Sequence, residues 1–208
     1  MDIKNMFIQS ELDEEVYMVQ PPGFKSSTHP QPLCRLKKPL HDLKQAPRAW
    51  HLKITQYLHQ IGFRMSKSDN SLFIWSASRG QIFIITYVDD LVIGGEHIAG
   101  INNIKMLLSN KFEMKDLKEL HYFLGIEVIQ TLDNIMISQR HYILNLLFKF
   151  GMTECTHVST PLDRNLKLDA DSGTTEYELT HYRQLVGSLI YITITRPYLN
   201  YLVGLLSQ

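Results

Sequence analysis

A chain of 208 residues with 44% hydrophobic and 20% charged residues has the make-up of an ordinary globular protein, long enough to bury roughly 70% of its unfolded surface in one or two domains. No apolar run approaches the roughly 20 residues that a membrane-spanning helix needs, the N-terminus lacks a secretory pattern and no Asn-x-Ser/Thr acceptor occurs, so an intracellular setting without a membrane is expected. The formal net charge is zero but unevenly spread: residues 1–24 carry five acids against Lys4 alone, and residues 34–67 carry eight basic residues against Asp42 alone.

In chain order, the acidic opening ends at Pro21-Pro22-Gly23, and the Ser-, Thr- and Pro-rich stretch 25–32 marks turn and loop. The basic segment that follows could track a phosphate backbone, grip a triphosphate or form a solvated face. From Ala46 the pattern becomes helical: Trp50, Ile54, Tyr57, Leu58 and Ile61 repeat on one face, with Pro47 near the start and Gly62 at the stop. Leu72 to Trp75, Gln81 to Tyr87 and Leu91 to Ile93 read as adjacent strands, the first two joined through Ser78-Arg79-Gly80. Ile98, Ile101, Ile104, Lys105, Leu108 and Phe112 set a second helical period. Tyr122 to Ile129 and Ile135 to Ile137 form a predicted hairpin around Asp133-Asn134. Tyr142, Ile143, Leu146, Leu147 and Phe150 give a third helix closed by Gly151; the polar stretch from Asp163 to Glu178 is a linker or surface loop. A fourth helix carries Tyr182, Leu185, Val186, Leu189 and Ile190, and after Arg196-Pro197 the pattern resumes through Leu206. Cys34 and Cys155 have no partner at metal-ligand spacing and are expected to be buried thiols. The mixed order of elements favours an α+β domain with a small antiparallel sheet.

The sharpest local signal is Tyr87-Val88-Asp89-Asp90, two adjacent acids at the tip of a hairpin with apolar arms. At about 5 Å and an effective dielectric of about 20, such a pair repels by on the order of 3 kcal/mol, and a turn needing only positive φ would use Asn-Gly. Asp is a common turn residue, but the two acids are better explained by cations. Two hard divalent ions bound to oxygen suit phosphoryl transfer, one activating a hydroxyl and the other steadying the leaving group. A further acid from elsewhere in the chain must bridge them, and Asp2 is the candidate.

Asp2-Ile3-Lys4-Asn5-Met6-Phe7, Leu12 to Met18 and Gln20 to Phe24 resemble the first palm motif of copia-type LTR retrotransposon (Pseudoviridae) reverse transcriptases, the RNA-directed DNA polymerase part of the Pol polyprotein. Cys34 to Lys38 and Leu43-Lys44-Gln45-Ala46-Pro47-Arg48-Ala49-Trp50 resemble the family's next motif, and Tyr87 to Asp90 its catalytic hairpin. Phe112 to Leu117, Tyr122 to Val128, Ser138-Gln139-Arg140, Ser159-Thr160-Pro161 and Tyr182 to Tyr191 continue the likeness in order. The resemblance implies a polymerase palm, an antiparallel sheet with flanking helices over residues 1–130, then a helical thumb or connection region over 131–208. It implies Asp2, Asp89 and Asp90 as catalytic residues and ligands of two Mg²⁺ ions, with Mn²⁺ as a substitute. Phe7, His41 and Lys44 would line the incoming deoxynucleotide, and Leu124, Gly125 and Ile126 would form the primer grip. The implied partners are an RNA or DNA template with primer, deoxynucleoside triphosphates, and the fingers, RNase H and integrase parts of the same polyprotein, within a cytoplasmic virus-like particle.

Three positions depart from the family pattern: Asp42 and Lys118 stand where it usually has glycine, and Tyr198 stands where an acid usually follows Arg196-Pro197. The opening at the first palm motif also implies a truncated copy without fingers. Two alternatives stay open beside the polymerase: a catalytically dead remnant, and a nucleic-acid-binding module without chemistry.

Overall fold

The computed structural model describes residues 1–24, 33–77, 80–158 and 176–207. The predicted loop 25–32, the Ser78-Arg79 link, the Ser159-Thr160-Pro161 block and most of the predicted linker, 163–175, lie outside them. The fold is α+β, and the chain divides into two compact units, Met1–Glu119 and Leu120–Gln208.

In the first unit β1 (Asp2–Ile3) leads into a 3-10 turn, Met6–Gln9, and β2 (Tyr17–Val19) pairs with β3 (Leu33–Arg35). That pairing sets the acidic opening against the basic segment, and the ion pairs Arg35–Glu15 (2.9 Å) and Lys53–Glu11 (3.6 Å) neutralise part of each. Helix α1 (Ala46–Gln60) follows, with Ala46, Trp50, Ile54 and Leu58 buried at intervals of one turn. It ends in a Schellman motif: the Gly62 amide donates to the His59 carbonyl, the Phe63 amide donates to the Leu58 carbonyl, and Phe63 and Leu58 are both buried. Gly62 supplies the left-handed φ of 95° that this cap demands.

Next come β4 (Arg64–Met65), β5 (Leu72–Ala77), β6 (Gly80–Tyr87), β7 (Asp90–Gly95), α2 (Ile98–Lys111) and β8 (Met114–Lys115). Their sheet runs β4-β5-β6-β7-β1-β8, antiparallel throughout, so the opening strand is inserted between β7 and β8. Strand alternation sends Ile82, Ile84 and Leu91 to one face, where they join Ile3, Phe73, Trp50, Ile54, Leu58, Ile104, Leu108 and Phe112 in the core. The other face carries Phe83, Ile85, Tyr87, Val92 and Asp90.

Asp42 and Lys118 adopt left-handed backbone, at φ 69° and 66°. These are the two positions at which the sequence departs from a glycine pattern, and the conformation is one that costs an L side chain roughly 1–2 kcal/mol. Lys118→Gly is therefore expected to raise stability by about 1 kcal/mol after glycine's own entropy cost, or about 2–4 °C in a thermal melt. Asp42→Gly should gain less, because Asp tolerates this region better.

The second unit holds β9 (Tyr122–Phe123), β10 (Ile126–Gln130) and β11 (Ile135–Ser138) in the order β11-β10-β9, with helices α3 (Arg140–Lys149), α4 (Glu176–Ile192) and α5 (Asn200–Leu206). The single strand expected from Tyr122 to Ile129 is broken at Leu124-Gly125. Both residues are left-handed, at φ 50° and 82°, and Phe123 pairs with Ile126, so a two-residue hairpin turn replaces continuous strand. Helix α4 takes in Glu176 to Glu178, which the sequence assigned to the linker, and the break expected at Arg196-Pro197 is a 3-10 turn, Pro197–Leu199. Gln139, only 2% exposed, donates to the Tyr191 carbonyl (3.0 Å) and accepts from the Thr195 hydroxyl (2.7 Å). Both cysteines are free thiols, but neither is buried as expected: Cys34 on the narrow β2–β3 ribbon is half-buried, and Cys155 beyond α3 is exposed. Among the described residues no helix is long and apolar enough to cross a membrane.

Candidate active site

The β6–β7 hairpin closes with Tyr87 opposite Asp90, leaving Val88 and Asp89 as a two-residue turn. Val88 lies at φ 51° whereas Asp89 stays out of the left-handed region, the pattern of a turn that ordinarily requires glycine at its first central position. A β-branched residue there is strained. From below, the buried Trp50 of α1 donates its indole N–H to the Val88 carbonyl at 3.1 Å, and its ring meets Phe112 edge-on at 5.4 Å.

Strand β1 brings Asp2 to this turn. The Ile3 amide donates to the Asp89 carbonyl (2.9 Å) and the Leu91 amide to the Met1 carbonyl (2.8 Å), so Asp2 and Asp90 face each other as partners that do not themselves exchange backbone bonds. This is the closer kind of antiparallel pair, with Cα atoms about 4.5 Å apart and both side chains on one face of the sheet. The carboxylates thus share the face of Tyr87, opposite the core. On the far side of Asp2 its register partner is Lys115, a cation on that same face.

Like charges opposite one another on a sheet are destabilising, so the Asp2–Asp90 pairing opposes the fold when no cation is bound. Burial, then the charge of Asp89, raise the proton affinity of Asp90 above the ordinary carboxylate range; Asp2 adds to the rise and the Met1 ammonium opposes it. The folded chain therefore holds this proton more tightly than the unfolded one. The group's favourable contribution is complete below the unfolded carboxylate range and is lost as pH rises through the raised value. Without divalent ions, Asp90→Asn should raise stability near pH 7 by at most about 1 kcal/mol, and melts repeated near pH 3.5 should show the gain gone.

The nucleotide-lining residues expected from the sequence are partly assembled. Phe7, in the 3-10 turn and packed against the core, meets the His41 ring edge-on at 5.6 Å. His41 Nδ1 lies 2.9 Å from an Asp42 carboxylate oxygen, while exposed Lys44 makes no ion pair among the described residues. Leu124, Gly125 and Ile126 belong to the second unit, at its β9–β10 turn. Among the described residues no three His, Cys, Asp or Glu side chains converge into a ready metal-binding cluster. Two features escaped the sequence. Trp50 stands in the sequence as part of a helical face and the end of a family motif, with no acceptor named for an indole N–H that burial obliges to find one; Lys115 becomes visible only through the long-range pairing of β1 with β8.

Residues 1–164 match the family model described as reverse transcriptase (RNA-dependent DNA polymerase). Over its whole length the chain is 44% identical to the Retrovirus-related Pol polyprotein from transposon RE1 of Arabidopsis thaliana, spanning 14% of that protein. It is 34% identical to the corresponding Pol polyprotein from transposon TNT 1-94 of Nicotiana tabacum, spanning 16%. A transposon Ty5-1 protein of Saccharomyces cerevisiae is 32% identical over the whole chain, which covers 68% of it. No solved structure matches.

Proposed function

The chain belongs to the reverse transcriptase (RNA-dependent DNA polymerase) family of copia-like retrotransposons, and from that premise we propose that its first unit is a polymerase palm whose acidic face directs deoxynucleotide transfer onto a primer 3′-hydroxyl. One observation carries the reading: β1 sets Asp2 in the close register position against Asp90, beside the turn that presents Asp89. A sheet has no structural reason to bring Asp2 from a distant part of the sequence beside the adjacent pair Asp89 and Asp90, where burial and then the charges of Asp89 and Asp2 raise the proton affinity of Asp90.

The donor set fits a hard divalent cation: carboxylate oxygens, no sulfur and no imidazole among the three. Asp2 and Asp89 would hold the ions and Asp90 would support them, with substrate phosphates completing the coordination. When bound, such ions supply charge neutralisation at the phosphoryl group and a more acidic attacking hydroxyl. The chain's own groups do the remaining work. Trp50 fixes the turn, so Asp89 is presented without rearrangement, and Phe7 packs beneath the sugar with His41 against its edge, excluding a 2′-hydroxyl. Lys44 approaches the triphosphate, and the Leu124-Gly125 turn with Ile126 contacts the primer terminus.

A gel-based primer-extension assay on an RNA template tests the reading. Extension by this chain in Mn²⁺, however slow, should vanish with Asp2→Asn. Binding of primer–template that is salt-sensitive and wholly indifferent to the acids, without any extension, would instead favour a module that reads only the phosphate backbone through Lys37, Lys38 and Lys44.

A further inference from the structure

We infer that Tyr191 is a positioning residue that holds the Leu124-Gly125 turn in the orientation in which it meets the primer terminus; the inference rests on the primer-grip reading above. Tyr191 stands on α4, 67 residues from Leu124, and its hydroxyl donates to the Leu124 carbonyl. A Cβ added at Gly125 would lie 3.4 Å from both Cε1 and the hydroxyl oxygen of Tyr191. The glycine is thus demanded by its φ of 82°, and the Tyr191 ring packs at van der Waals distance beside it. The phenol is itself fixed: the Tyr142 ring of α3 meets it edge-on at 4.9 Å, and the buried Gln139 amide holds the Tyr191 carbonyl.

A turn that merely joins two short strands needs none of this. Asn-Gly would adopt the same conformation without strain, and water would satisfy a surface carbonyl. Here the tip residue is instead a leucine, 42% exposed and left-handed, two residues beyond Tyr122, which is 57% exposed. An apolar and aromatic tip on a braced turn is suited to packing against the sugar and base of a nucleic-acid end, where a loose turn would lose contact to motion.

Tyr191→Phe keeps the ring and deletes only the hydroxyl. Amide hydrogen exchange at Ile126, which closes the turn, should quicken about tenfold, with exchange along β10 and β11 and the melting temperature unchanged. Affinity for an RNA–DNA primer–template should fall about fivefold, the loss of one hydrogen bond's worth of preorganisation. Gly125→Ala, which disturbs the turn from its other side, should weaken binding at least as much. Unchanged exchange at Ile126 in Tyr191→Phe overturns the inference. So does faster exchange with undiminished primer–template affinity, and in that case the wild-type chain still binds and only the inference falls. If the wild-type chain itself fails to bind primer–template, the primer-grip reading fails and takes the inference with it.

Discussion

Asp89→Asn is expected to lower metal-dependent nucleotide incorporation by at least roughly a hundredfold, because several kcal/mol of charge stabilisation would disappear with the carboxylate. The fold should survive the change. Asp89 is tied to β1 through its backbone carbonyl, which accepts from the Ile3 amide, so the side chain can be neutralised without cutting that strand pairing. Its charge is also the second cause of the raised proton affinity of Asp90, after burial, so Asp89→Asn should shift the Asp90 titration down toward the ordinary range. Single-nucleotide incorporation in Mn²⁺, read together with a thermal melt, separates these effects. Activity within a few fold of wild type in a well-folded Asp89→Asn protein would remove this residue from the mechanism.

The second large effect concerns Trp50→Phe. Trp50 is 4% exposed and gives its only polar hydrogen to the Val88 carbonyl, so the substitution both leaves space in the core and frees the turn. A loss of about 2 kcal/mol in stability follows from one hydrogen bond and a partly filled cavity, about 4–8 °C in the melt. The effect on chemistry should exceed that of an ordinary core lesion. Val88 is held at φ 51°, a conformation whose strain of roughly 1–3 kcal/mol relaxes once the anchor is gone. The turn then shifts, and incorporation should fall about tenfold. Val88→Gly, which accepts this backbone without strain, should restore part of that loss in the double variant, whereas a defect of packing alone would be indifferent to it.

Much of the fold was legible because it is local. The spacing of Trp50, Ile54 and Leu58, closed by Gly62, marks α1 nearly to the residue, and the two acids between apolar arms mark the β6–β7 hairpin. Convergence of Asp2 on that hairpin could only be suggested by family resemblance, since β1 is two residues long and has no periodicity of its own. Its place between β7 and β8 depends on pairings made across much of the first unit. The misreadings have a similar origin. Tyr122 to Ile129 looks like one strand because its apolar residues are continuous, yet Gly125 permits a turn into which Tyr191, distant in sequence, locks Leu124. The exposed thiol of Cys155 shows composition giving way to position, since the residue follows the end of α3 rather than lying on its packed face.

If the proposal holds, Asp2, Asp89 and Asp90 act together as one site for divalent ions. Titration of the chain with Mn²⁺ by calorimetry at neutral pH measures that directly, since the heat reports ions taken up by the carboxylates without any need for substrate. Saturable binding, abolished by Asp2→Asn and by Asp89→Asn alike, is the predicted result. The absence of saturable binding, or binding that persists undiminished in both variants, would contradict it.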